Sequence, residues 1–291
     1  MFADELWIGT MLDGEARWVV ASTTNTVEEA RRRHNTSPVA TAALGRLMTG
    51  TLFLASSLKG EEAVTTRLLG DGPLGGVVSV GKANGEVRGY VREPNVDLEL
   101  KAPGKLNVAE GVGNGEFVVS RSLDSGNVYT GMVPIVSGEI AEDFANYLLT
   151  SEQITSAVAL GVLVETDYHV SGSAGFLIQP LPGASEETIK TIEDRLEALA
   201  GISSIAAESS SMNELVDKIL GDLNFTVLER RPVKFRCSCS KDKLEETLIS
   251  LGQKELEELI SEGKAELVCH FCNEQYLFNE QELRDLLERA R

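Results

Sequence analysis

The placement of cysteine constrains this chain more than any other feature. The 291 residues contain four cysteines, and all of them lie in two tight pairs near the C-terminus, Cys237-Ser238-Cys239 and Cys269-His270-Phe271-Cys272. Cysteines scattered through a core act as small hydrophobes, so this confinement indicates that sulfur has one task here. Four thiolates satisfy the tetrahedral coordination of zinc, and the second pair has the spacing of a zinc knuckle. The sequence therefore predicts one Zn²⁺ per chain, with Cys237, Cys239, Cys269 and Cys272 as its ligands.

Length and charge restrict the possible architectures and partners. A chain of 291 residues with 42% apolar residues predicts about two domains with a real core. No apolar run approaches the ~18 residues of a membrane span, and the first ten residues carry Asp4 and Glu5 where a secretory signal is basic. We therefore expect a cytoplasmic protein without membrane contact, in a compartment where thiols stay reduced. A net charge of −18 disfavours general binding to nucleic acid.

Residues 1–180 carry the pattern of an α+β core domain, in which strands and helices are mixed. Two apolar runs flank Asp13-Gly14 and predict a hairpin. Ser37 and Pro38 predict the start of a long, buried helix that ends at Gly60. Alternating segments separated by turn residues predict further strands, with one more helix over 139–150. These strands are expected at 64–69, 76–80, 86–91, 117–120, 128–133, 156–164 and 174–178.

One stretch in this domain matches a cofactor motif formally. Gly70-Asp71-Gly72-Pro73-Leu74-Gly75 has the GxGxxG pattern of a dinucleotide site, which requires a following helix. Here the strand-like run Gly76–Val80 follows, so we predict a hairpin turn and no cofactor.

The pattern becomes helical after Pro180-Leu181-Pro182-Gly183, the clearest boundary in the chain. Residues 181–232 predict a helical linker, with Ser185 and Ser211 as helix caps. The first of these helices has an apolar stripe made of Ile189, Ile192, Leu196 and Leu199. Residues 233–291 predict a small zinc-binding α/β domain, in which a hairpin flanks the knuckle. A domain of this size with few large apolar residues has a weak core. We therefore expect it to depend on its metal for stability.

The sulfur pairs also suggest redox chemistry. Residues i and i+2 lie near the upper limit of Cα separation for a disulfide, so a Cys237–Cys239 bridge is possible but strained, and Cys269 and Cys272 can also pair. Oxidation could thus turn four ligands into two bridges and expel the metal. Basic residues near the first pair favour thiolates, although they also fit a solvated surface patch or a local nucleic-acid footprint. These residues are Arg230, Arg231, Lys234, Arg236, Lys241 and Lys243.

The sequence shows no motif that indicates catalysis. The chain has no GxSxG, HExxH or Walker motif, and four thiolates leave no open position for a substrate on the metal. His270 is surplus as a ligand and is interpreted as a surface residue. The rival to a redox switch is a zinc-ribbon adaptor of transcription or translation with permanently bound zinc.

At this point the sequence resembles the bacterial 33 kDa chaperonin (heat-shock protein 33) family. The resemblance rests on the two cysteine pairs with their separation, on the order of the domains, and on short segments across the chain. In the family a proline usually stands two residues after Ser-Glu-Gln, where this chain has Thr155. The matching segments are Arg32-Arg33-His34, Ala42-Ala43-Leu44-Gly45-Arg46, Val136-Ser137-Gly138-Glu139 and Ser151-Glu152-Gln153.

The resemblance implies a redox-regulated holdase that needs no ATP. In the reduced state zinc on the four cysteines keeps the C-terminal domain folded. Oxidants would form the Cys237–Cys239 and Cys269–Cys272 disulfides, release zinc, and unfold this domain and the linker. Apolar surface would then bind unfolding client proteins. The family also implies a homodimer in the oxidised form, and we expect a monomer in the reduced form.

Overall fold

The computed structural model describes residues 2–199 and 201–290. The chain forms two compact units, Met1–Phe235 and Arg236–Arg291. Mixed helices and sheets confirm the predicted α+β class.

The first unit contains two sheets. The five-stranded sheet has the order β10-β1-β2-β9-β8, and the six-stranded sheet has the order β11-β5-β4-β3-β6-β7. Their strands are β1 (Glu5–Met11), β2 (Ala16–Ser22), β3 (Ala63–Gly70), β4 (Val77–Lys82), β5 (Glu86–Val91), β6 (Gly115–Ser122), β7 (Val128–Pro134), β8 (Ala157–Val164), β9 (Val170–Pro180), β10 (Phe225–Pro232) and β11 (Lys234–Phe235). The helices of this unit are α1 (Thr24–His34), α2 (Pro38–Ala55), α3 (Val108–Val112), α4 (Ala141–Glu152), α5 (Glu186–Glu197), α6 (Ile202–Glu208) and α7 (Met212–Leu220).

Helix α2 lies at the centre of the first unit and packs against strands of both sheets. Ser37 caps it as predicted, because its Oγ accepts from the amide of Ala40 at 3.4 Å. The helix ends at Ala55, five residues before the predicted Gly60, where the hydroxyls of Ser56 and Ser57 donate to carbonyls of the last turn. Contrary to our expectation, α2 is long and apolar enough to cross a membrane, but 89% of its 18-residue window is buried within the protein. A helix buried on nearly all sides belongs in a core of this kind, and its one charged residue, Arg46, pairs with Glu139.

The five-stranded sheet is covered on both faces. Side chains alternate along β1, so Leu6 and Ile8 join the core around α2, whereas Trp7 and Met11 join a second core under α5, α6 and α7. Large buried residues of this second core include Trp18, Phe176 and Leu215. The three helices thus hide an apolar sheet face from water.

Many sequence predictions of local structure are confirmed. The hairpin at Asp13-Gly14 joins β1 to β2, and the glycine-rich segment after Gly70 joins the antiparallel strands β3 and β4 as a turn. The helix predicted from residue 139 begins at Ala141. Five elements of the described chain were not predicted, namely α1, α3, α6, β10 and β11.

The segment predicted as a helical linker contains more secondary structure than expected. It contains α5, α6 and α7, but it ends in β10, which pairs with β1 from Glu5 to Met11. Residues 181–232 therefore extend the five-stranded sheet and belong to the first compact unit. A separate functional linker at these positions stays a prediction.

The second unit is small. It contains α8 (Lys241–Leu251), α9 (Gln253–Glu262), β12 (Lys264–Val268), β13 (Gln275–Asn279) and α10 (Glu280–Arg289), and β12 pairs with β13 as the hairpin that the sequence predicts. Its buried core consists of Leu248, Leu256, Ala265, Phe278, Leu283 and Leu286.

Candidate metal centre in the C-terminal unit

The first cysteine pair lies in the extended segment before α8. Ser240 caps that helix, since its Oγ accepts from the amide of Lys243 at 3.4 Å. The ammonium of Lys243 in turn donates to the carbonyl of Ser238 at 2.7 Å, between the two cysteines. The start of α8 therefore fixes the backbone that presents Cys237 and Cys239.

The second pair lies in the loop that joins β12 to β13. The amide of Cys269 donates to the carbonyl of Glu274 at 2.9 Å, and the amide of Asn273 donates back to the carbonyl of Cys269 at 2.7 Å. Asn273 has a φ of 58°, in the left-handed region that asparagine tolerates better than most residues. This tight turn directs Cys269 and Cys272 to one side of the loop.

The two segments bring all four sulfur atoms together, within 4.8 Å of one another. The Sγ atoms of Cys237 and Cys269 are 3.7 Å apart, and those of Cys239 and Cys272 are 3.3 Å apart. A disulfide needs about 2.05 Å, so these are thiols. Tetrahedral zinc with sulfur at about 2.3 Å would place its ligands roughly 3.8 Å apart. The donor type, number and spacing therefore fit Zn²⁺.

The electrostatics of the cluster favour a bound cation. Burial raises the pKa of the Cys272 thiol and of the Cys269 thiol, and the neighbouring Cys237 acts in the same direction on both. Thiolates in so small a space would repel one another, so Cys269 and Cys272 keep their protons when no metal is bound. A divalent cation offsets this repulsion and stabilises the thiolates.

Tyr276 is a member of the site that the sequence did not indicate. Its hydroxyl donates to the Sγ of Cys239 at 3.2 Å, and this hydrogen bond raises the pKa of the tyrosine. Tyr276 lies on β13 opposite Leu267, so the hairpin register brings it to the sulfur. Only the pairing of the two strands could have shown this contact. Partners of this kind orient metal ligands and tune their reactivity.

The basic residues around the first pair have mostly other contacts. Arg230 lies 4.1 Å over the ring of Trp7, Arg231 pairs with Glu229, and Lys234 pairs with Glu86 at 3.4 Å, all in the first unit. In the second unit, Lys241 pairs with Glu282. Whether Arg230, Arg231 and Lys234 support the thiolates stays a prediction, and Lys243 is the basic residue that contacts the backbone between the two cysteines. His270 is exposed, as predicted.

Comparisons with known proteins identify the family. The family model described as "Hsp33 protein" matches residues 4–279, which span both units. The chain belongs to the Hsp33 family. The 33 kDa chaperonin of Oceanobacillus iheyensis is 46% identical over 285 residues, 97% of this chain and 99% of that protein. The 33 kDa chaperonin of Bacillus velezensis is 48% identical over 280 residues, 96% of each chain.

A solved structure of a 33 kDa chaperonin has a similar fold. The crystal structure of the 33 kDa chaperonin of Thermotoga maritima matches with a TM-score of 0.91 and 37% identity, and the match covers 99% of each chain. Membership of the Hsp33 family supports a chaperone role, which is not an enzymatic one, and implies binding to unfolding client proteins. The resemblance seen in the cysteine pairs is confirmed.

Proposed function

We propose that this protein is an ATP-independent holdase that oxidation switches on. In the reduced state Cys237, Cys239, Cys269 and Cys272 hold one Zn²⁺, which clamps the segment before α8 to the β12–β13 loop. The observation that carries the proposal is the meeting of four thiols within 4.8 Å in a unit whose described residues form a buried apolar cluster of six side chains.

The size of the metal contribution explains why its loss would act as a switch. Structural zinc contributes on the order of 10–16 kcal/mol in small domains at neutral pH. A domain of roughly 56 residues, the length of Arg236–Arg291, has a total stability of about 3–8 kcal/mol at the usual value per residue. Without the metal this unit would therefore unfold.

The oxidation step balances with peroxide as the oxidant. A thiolate of one pair attacks the peroxide and becomes a sulfenic acid, and the second thiol of that pair displaces water to form the disulfide. Each pair thus consumes one H₂O₂ and yields one disulfide and two waters. When Cys237–Cys239 and Cys269–Cys272 have both formed, all four ligands are consumed and the site loses its affinity for zinc.

The client-binding surface that fits this scheme is the sheet face under α5, α6 and α7. Ile192 and Leu215 on these helices are 4% and 0% exposed, and they cover Trp7, Trp18 and Phe176 of the sheet. Within the predicted stripe, Leu196 and Leu199 pack partly buried on this core, whereas Ile189 is 40% exposed. Displacement of the helices would uncover a continuous apolar face, which binds unfolded chains without sequence preference.

The test combines metal content with chaperone activity. Reduced protein is treated with peroxide, released zinc is followed with a colorimetric chelator, and light scattering reports the aggregation of heat-denatured citrate synthase. We expect one zinc per chain to be released, aggregation to be suppressed only after oxidation, and a dimer to form in the oxidised sample. Oxidised protein that keeps its zinc and never suppresses aggregation would instead support a zinc-ribbon adaptor. We also propose a cytoplasmic location, where thiols stay reduced until oxidative stress.

A further inference from the structure

The N-terminus of α5 is tied to the β1–β2 turn by one carboxylate. Oε2 of Glu15, in that turn, accepts from the amide and the hydroxyl of Ser185, both at 2.9 Å, and from the hydroxyl of Thr188. The Oγ of Ser185 accepts from the amide of Thr188 at 3.1 Å. Glu15 therefore extends the helix cap and joins it to the core sheet.

The other end of α5 is tied to α7 by a guanidinium. Nε of Arg195 donates to the carbonyl of Ile219 at 3.0 Å, and Nη2 donates to the carbonyl of Lys218 at 2.5 Å. These carbonyls lie in the last turn of α7, where backbone acceptors lack partners within the helix. A cation at a helix C-terminus also interacts favourably with the helix dipole. Gly221 leaves the space, since a Cβ there would lie 2.7 Å from Cζ of Arg195.

Apolar burial alone holds α5 weakly. Of its twelve residues only Thr188 and Ile192 are buried, whereas α7 buries five residues. The short helix α6 between them begins at Ile202, and its N-cap residue Gly201 provides no side-chain cap. The polar contacts at the two ends of α5 therefore carry an unusual share of its attachment.

We propose that Arg195 is a positioning residue, a latch that holds α7 and α5 together over the sheet, with Glu15 as the anchor of the opposite end of α5. Here "the Arg195 latch" means its two hydrogen bonds to the carbonyls of Lys218 and Ile219. The latch sets how readily the three helices leave the apolar sheet face. This inference rests on the proposed function for its consequence in chaperone activity, but not for its structural claim.

The structural claim is tested by hydrogen exchange on the reduced, zinc-bound, full-length protein. Arg195→Met keeps the length of the side chain and removes every donor, so amides of 186–197 and 212–221 should exchange roughly tenfold faster. Arg195→Lys retains one donor group and should restore part of the protection. Lys190→Met, which removes an exposed charge from the same helix, is the matched control and should leave exchange unchanged. Exchange in Arg195→Met equal to that of the control would overturn the latch.

A second variant keeps the claim testable if Arg195→Met folds poorly. Glu15→Gln removes the charge without changing the shape, and it should speed exchange at 186–190 more than at 212–221. Equal exchange in this variant and the unmodified chain would contradict the anchor.

The consequence for activity is measured separately. In Arg195→Met, half-maximal suppression of citrate synthase aggregation should need a several-fold lower peroxide dose. Faster exchange with an unchanged dose would refute the role of the latch in setting the threshold. If the unmodified oxidised protein never suppresses aggregation, the proposed function fails, whereas the exchange result still decides the latch.

Discussion

If the sheet face under α5–α7 binds clients, loosening these helices should activate the protein without oxidation. Leu215→Ala is the most direct perturbation, because Leu215 is 0% exposed and packs in the core beneath α7. Truncation of a buried leucine to alanine costs about 2–5 kcal/mol. At 3 kcal/mol, the population with α7 displaced would rise by a factor of about 100 or more.

The matched control is Leu47→Ala. Leu47 on α2 is also 0% exposed, but it belongs to the other core. This variant should lose a similar free energy of unfolding without uncovering the sheet face. Both variants are compared in the reduced, zinc-bound state, well below their melting temperatures. An apolar fluorescent dye reports exposed surface, and citrate synthase aggregation reports activity. We expect dye binding and suppression in Leu215→Ala only, and equal behaviour of the two variants would refute the assignment of this surface.

Three further predictions concern the metal centre and the core. Tyr276→Phe removes the donor to Cys239, so zinc affinity should fall about 10–100-fold in a chelator competition, whereas an unchanged affinity would exclude this role. Burial raises the pKa of Cys269 and Cys272, so these two thiols are protonated at pH 7 in the metal-free protein. Zinc uptake should therefore release protons, and zinc affinity should rise with pH across the neutral range and further into the alkaline range. Calorimetry in buffers of different ionisation enthalpy checks this, and uptake without proton release would contradict it. The buried carboxylate of Asp143 accepts hydrogen bonds from the amides of Val136, Ser137 and Ile140. Asp143→Asn replaces it with a neutral amide, so the free energy of unfolding of the first unit, measured with denaturant, should fall by about 1–3 kcal/mol. An unchanged free energy of unfolding would contradict a stabilising role.

The parts of the fold that local pattern determines were predictable. The cap at Ser37, the Asp13-Gly14 turn and the hairpin around the knuckle each depend on residues close in sequence, and each is present. The glycine-rich segment after Gly70 was recognised as a turn because a strand, and no helix, follows it.

The missed elements depend on partners far away in sequence. β10 has Glu229, Arg230 and Arg231 in a row and becomes a strand because β1 pairs with it, more than 200 residues earlier. Helix α1 buries only four residues and lacks an apolar stripe, and Asp4 from outside the helix accepts the amides of Asn25 and Thr26 in its first turn. Neither the pairing of β10 with β1 nor the hydrogen bonds to Asp4 can be seen in the local sequence.

The candidate site was predictable in its composition but not in its surroundings. Two pairs of cysteines indicate a zinc site from type and spacing alone, and the structure brings their sulfurs together. The hydrogen bond from Tyr276 to Cys239 follows from the register of β12 and β13. The contact of Arg230 with the ring of Trp7 follows from the pairing of β10 with β1. Both needed the three-dimensional structure.

The central claim is that zinc on the four cysteines holds the C-terminal unit together. The most direct measurement is hydrogen exchange over residues 236–290 of the reduced protein, with bound zinc determined in the same samples before and after peroxide. We predict one zinc per chain and protected amides before oxidation, and loss of both together afterwards. A reduced protein without stoichiometric zinc, or a C-terminal unit that stays protected once the metal has left, would contradict the claim.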